Sequence, residues 1–297
     1  MEDEEDIGKL ITIQIGDLFY ILDTYDLEAG GERTARVDCQ TFWDENNNYP
    51  NLVSVVIPET VIYNEEEYRV VSIGYAAFAF CSHLTSVILP KTLQEIEEAA
   101  FWGCSSLTSI VVPDGVKTIG QNAFYDCPKL ATIVLPDSLI SIGDRAFDDS
   151  EITSIRFPNS ITQIGDSVFG CSKIPIYNNH LFAKLSHSYS GEYIVPEGIK
   201  TIAKCAFLHY VDEPFSIVLP ESVTHIGYEA LWCSESLTSL TCKAILPPVL
   251  EDNVFNHEGE ISIPVYVPAQ SIELYKAAAQ WNQCTNIQPI PHSEITK

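Results

Sequence analysis

LTSIVVPDGVKTIGQNAFYDC, residues 107–127, decides how this chain folds. Most of its pattern recurs directly before it, as LTSVILPKTLQEIEEAAFWGC at 84–104, and directly after it, as LATIVLPDSLISIGDRAFDDS at 130–150. LTSIVVP is short, β-branched and closed by proline, which reads as a strand that Pro113 ends because it cannot donate to a ladder. VKTIG reads as a second short extended piece, with Gly120 turning the backbone where a Cβ would obstruct it. QNAFYDC reads as a helical turn that pushes Phe124 inward.

Working outward, prolines close the apolar runs at Pro58, Pro90, Pro113, Pro136, Pro158, Pro196, Pro220 and Pro247. The central spacings are 23, 23 and 22 residues. The aromatic of the Ala-Phe pair recurs at Phe78, Phe101, Phe124, Phe147, Phe169 and Phe207, then as Leu231 and Phe255. A period near 23 falls in the leucine-rich-repeat range. One unit has too little apolar area to bury its own Leu, Ile and Phe, so units must stack. The expected fold is a right-handed, β-rich solenoid with a parallel sheet and a continuous core.

Two interruptions stand out. Between Pro58 and Pro90 the extra segment VIYNEEEYRVV has apolar flanks around a polar tip, which reads as a β-hairpin. Between Pro158 and Pro196 the phrase breaks at KIPIYNNHLFAKLSHSYSGEYIVP. That segment is a hairpin-like insertion or a degenerate repeat; the apolar alternation of YNNHLFAKL favours the repeat. The ends must cap the stack. DLFYILD and TARVDCQ read as an N-terminal capping hairpin with a Gly30-Gly31 turn. ISIPVYVP reads as a C-terminal strand, and AQSIELYKAAAQWNQC as a helix with Ser271 at its N-cap. Its apolar face would comprise Ile272, Tyr275, Ala278, Ala279 and Trp281. The expected organisation is an acidic tail and β cap over 1–50, the solenoid over 51–248 with insertions near 59–70 and 173–193, and a cap over 249–297.

LTSIVVPDGVKTIGQNAFYDC resembles the BspA-like leucine-rich-repeat proteins, also called the Treponema-type repeat. The IYNNHLFAKL and YSGEYIVPEGIKTIA break is similar to the version common in Bacteroides-type members. YVPAQSIELYKAAAQWNQCTNI is similar to the cap that often closes them. Glu97 and Ala203 depart from the Gly of the Ile-Gly pair, and Ser150 stands where Cys is expected. The resemblance implies a cell-surface or secreted bacterial protein that binds host or bacterial macromolecules; some members bind fibronectin or fibrinogen.

Composition narrows the function classes. The net charge is −25, from 41 acidic and 16 basic residues, which repels nucleic acid and anionic membranes. Residues 1–67 hold 17 acidic against 3 basic residues, more than half of the net charge. No apolar run reaches the roughly 18 residues that would span a bilayer. MEDEED lacks the basic, apolar and small-residue regions of a signal peptide, so the protein is made without one or begins at a trimmed position.

No enzyme pattern emerges. Nine cysteines include no C-x-x-C pair, and Cys81, Cys104 and Cys127 share one repeat position, so they read as a column of buried thiols. Parallel Cβ vectors do not suit disulfides between them. None of the seven histidines stands in a metal-binding motif, and no P-loop, nucleophile elbow or calcium loop is present. A site would require His180 or His187 beside an acid. No cofactor or metal is expected.

Alternation along the strands points to a binding face instead. In LTSIVVP, Ile110 and Val112 face the core, leaving Ser109 and Val111 outside. The same register gives an outward column of Ser54, Ser86, Ser109, Thr132, Ser154, Glu192, Ser216 and Ser239. Beside it run Val56, Ile88, Val111, Val134, Arg156, Ile194, Val218 and Thr241. Plain β-propensity explains branched residues there. A contiguous exposed apolar stripe also marks interaction surfaces. The candidate partner-binding face is therefore Ser86, Ile88, Ser109, Val111, Thr132, Val134, Ser154, Arg156 and Val218, and the expected partner is a protein. The alternative is a glycan-binding module with Tyr177, Tyr189, Tyr193 and Tyr210 as an aromatic platform.

Overall fold

The structure, a computed structural model, describes residues 11–23, 32–39, 49–185, 189–207, 214–232, 236–255 and 261–291. They belong to two compact units, Met1–Gly170 and Cys171–Lys297.

The first unit opens with an antiparallel meander of β1 (Ile11–Ile15), β2 (Leu18–Asp23) and β3 (Thr34–Asp38). β2 and β3 are the two arms expected of the capping hairpin; its Gly30-Gly31 turn lies outside the described residues. Then come β4 (Ser54–Val56), β5 (Thr60–Tyr63) and β6 (Glu66–Ile73), with β5 and β6 antiparallel. Their tip, Asn64-Glu65, has φ of 52° and 68°, the positive pair that a two-residue hairpin turn demands. The expected hairpin in this interruption is present.

From here each repeat supplies two strands. They are β7 (Ser86–Ile88) with β8 (Glu95–Ile96), β9 (Ser109–Val111) with β10 (Thr118–Ile119), β11 (Thr132–Val134) with β12 (Ser141–Ile142), and β13 (Ser154–Arg156) with β14 (Gln163–Ile164). The second strands join the cap in one sheet, ordered β1-β2-β3-β6-β8-β10-β12-β14 and parallel from β3 onward. The first strands form two parallel ladders, β4–β7 and β9–β11–β13. Equivalent residues sit side by side: Ser109, Thr132 and Ser154 in one column, Val111, Val134 and Arg156 in another.

The third side of each repeat differs from expectation. QNAFYDC is not helical; it is a run of turns in which Asn122 and Asp126 take φ of 54° and 55°. Alternate amides reach sideways: Asn122, Phe124 and Asp126 donate to the carbonyls of Asp144, Ala146 and Asp148 in the next repeat. A helix would spend those amides within its own turn. The stack uses them to join neighbours, and the left-handed residues turn the chain so that they can.

This geometry lines up the phenylalanines. Phe78, Phe101, Phe124, Phe147 and Phe169 are all fully buried, with successive ring centroids 5.2, 5.1, 5.1 and 5.6 Å apart and planes within 9° of parallel. Burying one such ring contributes about 2–3 kcal/mol. Tyr49 finishes the column at 5.4 Å from Phe78, and its hydroxyl donates to the Asp38 carbonyl.

The second unit repeats the plan. It contains β15 (Ile176–Tyr177), β16 (Leu181–Lys184), β17 (Gly191–Ile194), β18 (Thr201–Ile202), β19 (Phe215–Leu219), β20 (His225–Ile226), β21 (Leu237–Cys242), β22 (Val249–Leu250) and β23 (Val265–Val267), then the helix α1 (Ile272–Ala277) and β24 (Ile287–Pro289). One sheet runs β15-β16-β18-β20-β22 and the other β17-β19-β21-β23-β24. The interruption is both things at once: β15 and β16 form an antiparallel hairpin, and β16 takes the second-strand place of a repeat, parallel to β18. Phe182 accordingly stacks on Phe207 at 4.9 Å.

The C-terminal cap corrects three expectations. The helix spans six residues, because Ala278 is extended at ψ 143° and Trp281–Gln283 is a separate 3-10 turn. That break lets the Trp281 ring meet Tyr275 edge-on at 4.9 Å. Ser271 makes no capping hydrogen bond, since a 3-10 turn already runs into the helix and Ser271 itself is helical. Of the expected apolar face, Tyr275 and Trp281 are buried while Ala279 is exposed. Their polar tips are paired: Tyr275 donates to the Ala244 carbonyl and Trp281 Nε1 to that of Pro248.

Candidate functional site

The first strands of the Met1–Gly170 unit form the candidate face. Ile110 and Ile133 point into the core. Ser54, Ser86, Ser109, Thr132 and Ser154 point out and are exposed, as the alternation requires. Beside them Val56, Ile88 and Val111 are 68%, 61% and 63% exposed. Val134 is half-buried. Arg156 ends the column, donating through Nη2 to Asp137 and through Nη1 to the Leu135 carbonyl. The structure therefore brings together Ser86, Ile88, Ser109, Val111, Thr132, Val134, Ser154 and Arg156 in two ladders of one unit.

Val218 does not belong with them. It is 7% exposed, and Thr241 beside it is also buried. It lies in the Cys171–Lys297 unit, on longer strands whose same column carries Tyr266 next to Thr241. A tyrosine ring has the bulk to cover smaller neighbours on a pleated face. In this unit Ile194 remains exposed.

Among the described residues the tyrosines do not lie side by side as an exposed platform. Tyr193 is buried, packed 5.5 Å from Phe182, 6.3 Å from Phe207 and 5.0 Å from Tyr189. Tyr189 donates to the Glu192 carbonyl. Tyr177 is exposed at its edge but stacks on Phe182. Tyr210 lies outside the described residues. Tyr177 and Tyr193 pack the interrupted repeat against Phe182. His180 meets Asn179, and His187 lies outside the described residues.

The thiols behave as fillers. Seven of the eight described cysteines are buried, and none of the eight is in a disulfide. Cys104 donates to the Phe78 carbonyl and Cys127 to that of Phe101. Burial pushes Cys127 and Cys284 up to about 12 and Cys39 to about 11, so none is a ready nucleophile at neutral pH. Among the described residues no cluster of His, Cys, Asp or Glu is placed to hold a metal ion, and no helix is long and apolar enough to cross a membrane.

Two features escaped the sequence reading. An open cavity of about 450 Å³ beside the N-terminal cap is lined by Gln14, Asp17, Phe19, Tyr49, Asn51 and Leu52. No periodic signal announces it, because it lies where the cap meets the first repeat. The second is a line of surface aromatics, the exposed Phe80 and the half-buried Trp102 and Tyr125, on the turn side of successive repeats. Its signal was available: an aromatic falls one or two positions after Phe78, Phe101 and Phe124.

Residues 47–175 and 176–290 match the BspA type leucine rich repeat region, with six copies of the repeat. The chain belongs to the BspA-type leucine-rich-repeat family. Its repeat is a fold typical of protein-interaction modules, and the family is generally a non-catalytic scaffold. Among solved structures, this BspA-type chain is similar to a leucine-rich repeat protein from Bacteroides ovatus, at 24% identity and a TM-score of 0.52, over 94% of this chain and 76% of that one. A leucine rich cell surface protein from Faecalibacterium prausnitzii aligns at 22% identity and a TM-score of 0.36, over 96% of each chain. The pneumococcal vaccine antigen PcpA aligns at 16% identity and a TM-score of 0.45, over 95% of this chain and 99% of that one. No curated protein matches the BspA-type chain.

Proposed function

We infer that the chain is a non-catalytic adhesion or protein-interaction module of a bacterial surface or secreted protein, and that it engages its partner through the first-strand face of the Met1–Gly170 unit. One observation carries this reading: Val56, Ile88 and Val111 are more than 60% exposed above a core that is already filled. Those branched chains leave most of their surface in water, yet they line two ladders on one face with a row of small hydroxyls beside them. Removing such a stripe from water is the standard driving force of association. Membership in the family and its resemblance to surface proteins support the location.

The test is binding to immobilised fibronectin and fibrinogen, with Ile88→Lys and Val111→Lys introduced together. Both side chains are exposed, so the unfolding midpoint should stay within about 0.5 kcal/mol of wild type. Binding of either protein should fall at least tenfold. Binding that survives both lysines sinks the reading.

A further inference from the structure

On the turn side of the same unit, Phe80, Trp102 and Tyr125 occupy three successive repeats, with ring centroids 5.2 and 5.9 Å apart. Phe80 is 46% exposed, and Trp102 and Tyr125 are half-buried, each keeping part of its ring at the surface. None is needed beneath the surface, where Phe78, Phe101 and Phe124 already fill the core. Gly103 leaves room for the outer row: a Cβ there would stand 2.7 Å from the Phe80 ring. The row then changes character. Asp126 follows Tyr125 in its own repeat, and the next repeat presents Asp148 and Asp149 where a further ring would stand. Tyr125 reaches across to Asp149, whose carboxylate pushes the phenol up from its ordinary value. Arg145 stands near enough to oppose that shift.

We propose that this edge, from Phe80 through Trp102 and Tyr125 to Asp126, Asp148 and Asp149, docks a basic protein segment, with lysine or arginine side chains laid over the rings and their charge received by the carboxylates. A cation over an aromatic face is attracted by the ring quadrupole, and carboxylates at one end of the row fix its direction. The net charge of −25 draws a basic segment in and turns nucleic acid away. The rings are inclined to one another by 44° and 65°, so they offer no common flat surface for a sugar. They form facets across which flexible cationic stems can lie.

The experiment uses the full chain and a fluorescent octa-lysine peptide, followed by anisotropy. Trp102→Leu with Tyr125→Leu removes rings and leaves the charge unchanged. Asp126→Asn with Asp149→Asn removes two charges at positions with φ of 55°, where asparagine is at ease. Glu95→Gln with Glu221→Gln removes two charges from exposed sites elsewhere. Each of the first two pairs should weaken binding at least fivefold, and the third less than twofold. The idea is overturned if the leucine pair binds as wild type does, if the two charge pairs weaken binding equally, or if wild type shows no saturable binding. Because Ile88 and Val111 lie on the other side of the repeat, their substitution should leave octa-lysine binding intact, so this site and the strand face fail or succeed separately.

Discussion

Ser150 occupies the repeat position that Cys81, Cys104 and Cys127 hold, and its hydrogen bond shows why either side chain serves. Its hydroxyl donates to the Phe124 carbonyl at 3.4 Å, just as Cys127 donates to Phe101 at 3.3 Å. The position needs a small buried donor facing the phenylalanine carbonyl one repeat back. A thiol fills more space and costs less to bury than a hydroxyl. Ser150→Cys should therefore raise stability by about 0.5–1 kcal/mol. Ser150→Ala should lower it by about 1 kcal/mol, losing the bond and leaving a small void. Urea denaturation of the two variants checks this, and equal midpoints for both would deny the bond any role. The column of thiols was legible from spacing alone. Their acceptors were not, because a carbonyl 26 residues away enters no local pattern.

At the scale of the element, the glycine of the Ile-Gly pair illustrates what a one-dimensional reading misses. Gly143 has no unusual φ; a Cβ there would lie 2.5 Å from the Gln121 nitrogen in the preceding repeat. The constraint is therefore the neighbouring repeat's backbone, and it applies wherever two repeats are this close. Glu97 escapes it at the first such junction, and its carboxylate accepts from Ser72 Oγ and the Tyr75 amide. Ala203 escapes it beside the irregular β16. Gly143→Ala should cost about 1–3 kcal/mol, the range for forcing extra atoms into a packed site. Ala203→Gly should cost about 1 kcal/mol or less, mostly backbone entropy. Thermal melts of the pair test the difference; indifference to Gly143→Ala would mean the repeats are not this tightly apposed. The same blindness explains two other departures. A run such as QNAFYDC has the length and polarity of a helical turn, and only the adjacent repeat decides that its amides bond sideways. Alternation placed Val111 outside correctly, but Val218, with the same alternation, is buried on a longer strand beside the buried Thr241, while Ile194 on its other side stays exposed. Facing is a property of a strand, whereas exposure depends on what packs over it.

Taken over the whole chain, both units bury groups that titrate only at high pH, and this gives stability a one-sided pH dependence. Burial pushes Cys39 up to about 11 and Tyr20, Cys127 and Cys284 up to about 12; Cys104, Tyr49 and Tyr275 move higher still for the same reason. In the unfolded chain a thiol titrates near 9 and a phenol near 10. The neutral form is thus favoured by folding, so the contribution is complete below about pH 9. It is lost as pH rises towards 12, where the unfolded state gives up protons that the folded state keeps. Each such group adds a slope of about 1.4 kcal/mol per pH unit within that window. Carboxylates add self-repulsion at all these values, but they are ionised throughout and so supply no slope of their own. The urea midpoint should accordingly be flat from pH 7 to about 8.5 and fall steeply by pH 11, with reductant present. Cys127→Ala and Cys284→Ala, one from each unit, should each be less stable than wild type at pH 7, where a buried side chain has been lost. Each should also lose stability more gently above pH 9, by about one proton's worth of slope. A variant that is weaker at pH 7 but just as steep at pH 10 would show that its thiol ionises as readily in the folded protein as outside it, and the repeat interior would have to be far wetter than this packing allows.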